Sequence, residues 1–202
     1  MIVRRQSRAA GGRAIGTYSP WPGMHWLVIA ALGTTVASMT ATPGLAGAMG
    51  AGLGLIMLAI AVIDARHLII PDALNAAGLT LGLAQAVILG GQAGWTALAE
   101  ASLRAAVLAT LFLILRNGYA RLRGRDGIGL GDVKLAAVAG AWLDWAVMPI
   151  AIEIAAVSAL GAYAIHHVLR RRAIRANARL PFGLFFAPAI WIGWLLQTIL
   201  FQ

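Results

Sequence analysis

The 202-residue sequence contains no cysteine. That absence excludes disulfides, zinc–thiolate sites and thiol nucleophiles together. Histidine is scarce as well, with four scattered residues that leave little for a metal site. Charge is the third shortage: 11% of the residues are charged, against roughly 25% in soluble domains. Acids are fewest of all, seven against sixteen basic residues, for a formal charge of +9. A nucleic-acid partner would need those basic residues on one soluble face. They lie instead between long apolar runs, in a chain that is 60% hydrophobic. The composition is that of a membrane protein with a positive-inside bias.

A crossing of a ~30 Å hydrocarbon core takes about 20 apolar residues. Candidate spans fall at 24–42, 45–64, 73–92, 97–116, 130–145, 147–168 and 182–201. Proline and glycine punctuate them at Thr42-Pro43-Gly44, Ile70-Pro71-Asp72, Gly90-Gly91 and Met148-Pro149. Basic loops at 116–128 and 169–181 supply the other breaks. The expected fold class is all-α: a polytopic transmembrane helix bundle of about seven spans, or six if the first is a cleaved signal with Trp26 to Ala37 as its apolar region. Residues 1–23, with Arg4, Arg5, Arg8 and Arg13, are expected as a basic cytoplasmic tail, and 24–202 as one transmembrane domain.

Alternation through seven spans puts fifteen of the sixteen basic residues on one side, leaving only Arg104 inside the fourth span. The N-terminus is then cytoplasmic and the C-terminus outside. Gly50-xxx-Gly54 and Gly78-xxx-Gly82 offer small faces for close helix approach. Trp95, Trp142, Trp145, Trp191 and Trp194 mostly fall near span ends, as core or interfacial anchors do.

Ionisable residues inside a membrane mark functional sites by default. Asp132 stands in Gly129-Leu130-Gly131-Asp132-Val133-Lys134, at the start of the fifth span. That span has 16 residues, or ~24 Å at 1.5 Å each, so the segment can lie below the membrane surface beside a water-filled cavity. Asp64 ends the apolar run from Leu53 to Ile63, and the topology puts it on the same side at nearly the same depth. Two such carboxylates can divide the work of peptide hydrolysis. One, ionised, takes a proton from water while the other, protonated, donates to the carbonyl oxygen. Like charges about 3 Å apart cannot both ionise, so proximity sets one acid and one base.

The other acids have plainer readings. Asp72 opens the third span, where its carboxylate can cap free N–H groups or sit at the rim of the site. Glu100, Asp126 and Asp144 are solvated or interfacial charges. Glu153, inside the sixth span, pairs with Arg104 or carries protons. His67 is a surface residue. Lys134 is expected to hold the loop or favour an ionised carboxylate, without pairing directly to Asp132 two residues away.

The two acidic motifs resemble those of the type IV prepilin peptidases, leader peptidases of the GxGD aspartyl protease group. The first runs Ala61-Val62-Ile63-Asp64-Ala65-Arg66-His67-Leu68-Ile69-Ile70-Pro71-Asp72, and the second Gly129-Leu130-Gly131-Asp132-Val133-Lys134-Leu135. Gly140-Ala141-Trp142-Leu143 and Pro181-Phe182-Gly183 support it, so the resemblance covers roughly residues 45–200. It implies Asp64 and Asp132 as catalytic aspartates, with Gly129, Gly131, Lys134, Pro71 and Asp72 in supporting places. It implies no cofactor or metal, an inner-membrane location, and type IV prepilin or pseudopilin substrates cut after a glycine on the cytoplasmic side. Larger members carry a cytoplasmic domain with paired cysteine motifs linked to N-methylation. This chain has no cysteine and about 23 residues before the first span, so a short, peptidase-only form is expected.

The alternatives are a different GxGD protease of the preflagellin type, a proton-coupled transporter relaying through Asp64, Asp132 and Glu153, and a non-catalytic assembly scaffold. No internal repeat of the transporter kind is visible. Because the loops and a prepilin leader are both basic, recognition is expected through the apolar start of the pilin helix. Glycine at the cut would then allow close approach to the backbone of Gly129 and Gly131.

Overall fold

A computed structural model describes residues 24–124, 127–170 and 181–200. The basic tail at 1–23 and most of the loop at 169–181 lie outside those residues. The described chain forms seven α-helices: α1 Met24–Ala41, α2 Leu45–His67, α3 Asp72–Leu89, α4 Gly94–Arg123, α5 Leu130–Trp142, α6 Val147–Arg170 and α7 Phe182–Leu200. A short 3-10 turn, Gly91–Ala93, precedes α4. There is no strand among the described residues, and the all-α bundle is as expected. Five of the helices are long and apolar enough to cross a membrane. The chain is a multi-pass helical membrane protein.

Most helix bounds fall within three residues of the expected spans, and two departures matter. α4 continues seven residues past Arg116, because arginine, leucine and alanine all favour helix even where hydropathy ends. Gly124, at φ 66°, stops it in a left-handed cap. α5 has only 13 residues, about 20 Å, so at least one of its ends lies below a membrane surface.

α2 packs on α1, α3 and α7, while α5 packs on α3, α4 and α7. α6 rests chiefly on α7, through the small buried stripe Ala151, Ala155 and Ala159. Large apolar side chains such as Leu111, Ile114, Val157 and Leu160 are exposed on the outer faces of α4 and α6, as expected against lipid. Inside, Leu53, Met57, Ile60, Leu135, Phe186, Ile190 and Trp194 are fully buried. Lipid tails are as apolar as these side chains, so close packing and internal hydrogen bonds hold the helices together.

The small-residue motifs work by admitting tryptophans. A methyl group at Gly50 would lie 1.9 Å from the Trp194 ring, one at Gly54 2.9 Å from Trp191, and one at Gly82 2.6 Å from Trp142. Trp142 Nε1 donates to the Gly78 carbonyl at 2.8 Å and meets Trp194 edge-on at 6.4 Å. Trp142 and Trp194 are therefore core residues, while Trp95 and Trp145 are exposed. At Gly140 the neighbour is backbone instead: a methyl group there would sit 2.5 Å from the Arg104 carbonyl oxygen, where α5 crosses α4.

Arg104 does not pair with Glu153. Its Nη1 lies 3.9 Å from Glu100 and 3.8 Å from Asp144, and its Nε donates to the Gly140 carbonyl at 3.3 Å. Glu153 is on the exposed face of α6, away from α4, because the alanine stripe turns the opposite face to α7.

Candidate active site

Five helix ends meet at one end of the bundle: the C-termini of α2 and α4, and the N-termini of α3, α5 and α7. Asp64 sits near the end of α2 and is 5% exposed. Its Oδ2 accepts a hydrogen bond from the Leu184 N–H at 2.9 Å. Leu184 is in the first turn of α7, where backbone N–H groups have no partner in their own helix. A buried carboxylate from another helix thus does the work of a cap.

Asp132 is in the first turn of α5, part-buried, with Oδ2 accepting from the Gly129 N–H at 3.1 Å. This reach back to the residue before the helix is half of a capping box. It explains why an acid suits the third helical position. No hydrogen bond joins the Asp64 and Asp132 carboxylates directly.

Ile70, buried ahead of Pro71, packs against the backbone beside each of them. A methyl group at Gly131 would lie 2.9 Å from Ile70 Cβ, and one at Gly183 2.8 Å from Ile70 Cδ1 and 2.9 Å from Asp64 Oδ2. Glycine at both positions lets α5 and α7 close on this side chain. Ile70 thus lies against one side of Gly131, which stays part-exposed, and Gly129 is exposed. The turn before Ile70 is strained: Leu68 caps α2 with φ 55°, a left-handed conformation rare for a bulky residue, and its N–H bonds the Asp64 carbonyl at 2.9 Å.

Asp72 makes no cap hydrogen bond at the start of α3. Its Oδ1 accepts from Lys134 Nζ at 2.6 Å instead, tying α3 to α5 two residues from Asp132. Lys134 accordingly does not pair with Asp132. Pro71 is the residue preceding α3, in extended conformation. His67 is exposed. All the residues singled out by sequence, Asp64, Asp132, Gly129, Gly131, Lys134, Pro71 and Asp72, belong to this one end of the bundle. Ile70 and Leu184 were not singled out. Ile70 lay inside the first motif and Leu184 directly follows Pro181-Phe182-Gly183, so the resemblance bordered both. No group of three or more metal-ligating side chains occurs among the described residues.

A bundle of membrane-crossing helices with two carboxylates at one end defines a polytopic membrane protein. The type IV leader peptidase family matches residues 51–165, and the chain belongs to that family. It is similar to the prepilin leader peptidase/N-methyltransferase of Aeromonas salmonicida, 31% identical over 201 residues that cover 94% of this chain and 67% of that protein. Similarity to the same-named protein of Burkholderia pseudomallei is 37% over 188 residues, 89% of this chain and 57% of the other. The leader peptidase HopD of Escherichia coli is 34% identical over 132 residues, 65% of this chain and 82% of HopD. The chain spans 57–67% of the length of the two N-methyltransferase-named relatives. No solved structure matches the chain significantly.

Proposed function

We propose that the chain is an aspartyl endopeptidase that removes the leader of type IV prepilins or pseudopilins at the cytoplasmic face of the inner membrane. The observation that carries this reading is the meeting of Asp64 and Asp132, 68 positions apart in sequence, at one end of the bundle. Asp64 is held by the Leu184 N–H of α7, and Asp132 by the Gly129 N–H three residues before it. In the proposed reaction, the ionised carboxylate takes a proton from water, and the resulting hydroxide equivalent attacks the scissile carbonyl. The protonated carboxylate donates to the carbonyl oxygen as the tetrahedral intermediate forms. Collapse of that intermediate breaks the C–N bond, and the amine leaves with a proton returned by an aspartate.

Substrate recognition is proposed to be apolar. Leu68, Ile69 and Leu130 are exposed beside the contact of Ile70 with Gly131, a patch suited to the first turns of a pilin helix. The absence of cysteine favours peptidase activity without methyl transfer. The proposed supporting roles are loop geometry for Gly129 and Gly131, chain entry into α3 for Pro71, and the α3–α5 tie for Asp72 and Lys134.

The test is to reconstitute the protein in liposomes with a prepilin and determine the product by mass spectrometry. The account expects one cut after the leader glycine, an unmethylated new N-terminus, and no effect of chelators. Processing that stops on metal removal, or no cleavage of any prepilin-like substrate, would contradict it.

A further inference from the structure

We propose that Arg116 is a positioning residue for Asp132, acting through the Ile128–Gly129 peptide group that lies between them. The inference rests on the reading of Asp132 as one of the two working carboxylates. Arg116 Nε donates to the Ile128 carbonyl at 3.0 Å, and the Gly129 N–H donates to Asp132 Oδ2 at 3.1 Å. The carbonyl and the N–H are the two ends of one peptide bond. A guanidinium on the oxygen draws electron density through that conjugated unit and makes the N–H a stronger donor, as hydrogen-bonded chains polarise one another. The peptide plane is rigid, so fixing its oxygen also fixes the direction in which the N–H points.

A second contact holds the same loop. A methyl group at Gly127 would lie 2.4 Å from the Tyr119 ring, so the backbone ahead of Ile128 lies flat against α4. Arg116 and Tyr119 are three residues apart, neighbours on one helix face. The run of α4 past its apolar segment thereby gains a purpose: it carries the arginine and the ring that seat the loop entering α5. The Ile128 side chain, packed against the core, fixes the loop from the other direction.

Three Arg116 variants and one control separate this role from general support. Arg116→Lys keeps a cation and a donor, Arg116→Gln keeps a donor without charge, Arg116→Met keeps neither, and Asp132→Asn removes the carboxylate. Each is purified in detergent, its thermal unfolding recorded, and kcat and KM measured on a prepilin. A hydrogen bond to a charged group is worth a roughly ten- to hundredfold change in rate. Arg116→Gln and Arg116→Met should lose about that much in kcat with KM and unfolding temperature little changed, and Arg116→Lys should recover most of the loss. If Arg116→Met destabilises the fold, the comparison of Gln with Lys decides alone. Full kcat in the Gln and Met variants, a loss confined to KM, or a Lys variant as poor as Gln would overturn the inference. A wild-type protein that does not cleave, or an Asp132→Asn variant that does, would instead overturn the reading it rests on.

Discussion

Gly183 occupies a place where a single methyl group would touch both Ile70 and the Asp64 carboxylate, at 2.8 and 2.9 Å. Ile70 Cδ1 is the flexible end of a side chain and can yield. The carboxylate is held by Leu184 and cannot move without losing its hydrogen bond. Gly183→Ala should therefore cost about 1–3 kcal/mol of stability and most of the cleavage activity, measured as residual kcat beside detergent unfolding. Wild-type activity in that variant would show that Asp64 does not need its present position. Lys134 presents a milder case. Its ion pair with Asp72 is short but largely exposed, and such pairs contribute roughly 0.2–1 kcal/mol. Lys134→Ala and Asp72→Ala should each slow cleavage without abolishing it, and the double variant should be no slower than the worse single one. A loss in Lys134→Ala equal to removal of an aspartate would assign the lysine a direct part in the chemistry.

Among the helices, the contact of α4 with α5 is unforgiving, because Gly140 meets backbone and not side chain. Gly140→Ala should destabilise by about 3 kcal/mol or more, near or above the upper end for overpacking. Gly118 and Gly161 have open space where a methyl group would go. Alanine there should be neutral or stabilising by up to about 1 kcal/mol. Chemical denaturation in one detergent compares all three, and equal effects would contradict this packing. The contrast also shows what was legible in sequence. Helix number and most boundaries followed from apolar length, and Asp64 and Asp132 stood out because acids are rare. Helix rotation did not follow. A helix apolar on nearly every face has no polar stripe to orient it, so the sequence did not reveal that Glu153 faces away from Arg104. Nor did it show that Gly50, Gly54 and Gly82 seat tryptophans. The Asp64–Leu184 bond joins residues 120 positions apart through a backbone N–H, which leaves no trace in residue type.

At the scale of the whole molecule, arginine placement sets the proposed orientation, with the acid-pair end cytoplasmic and the end holding Glu100, Arg104 and Asp144 outside. The chain lacks cysteine, so single cysteines report accessibility without background. Ile69→Cys and Gly118→Cys should react with an impermeant thiol reagent only in inside-out vesicles, and Gln92→Cys and Trp145→Cys only in intact spheroplasts. The reverse pattern would place the site on the wrong side for a leader peptidase. The central claim, that hydrolysis runs on Asp64 and Asp132 together, is tested most directly by the isosteric pair of substitutions. Asp64→Asn and Asp132→Asn are each assayed for prepilin cleavage in membranes, with expression and insertion checked beside them. The account predicts that each variant inserts normally and loses cleavage entirely, and that the double variant does the same. Leader removal at the wild-type site by either single variant would contradict it.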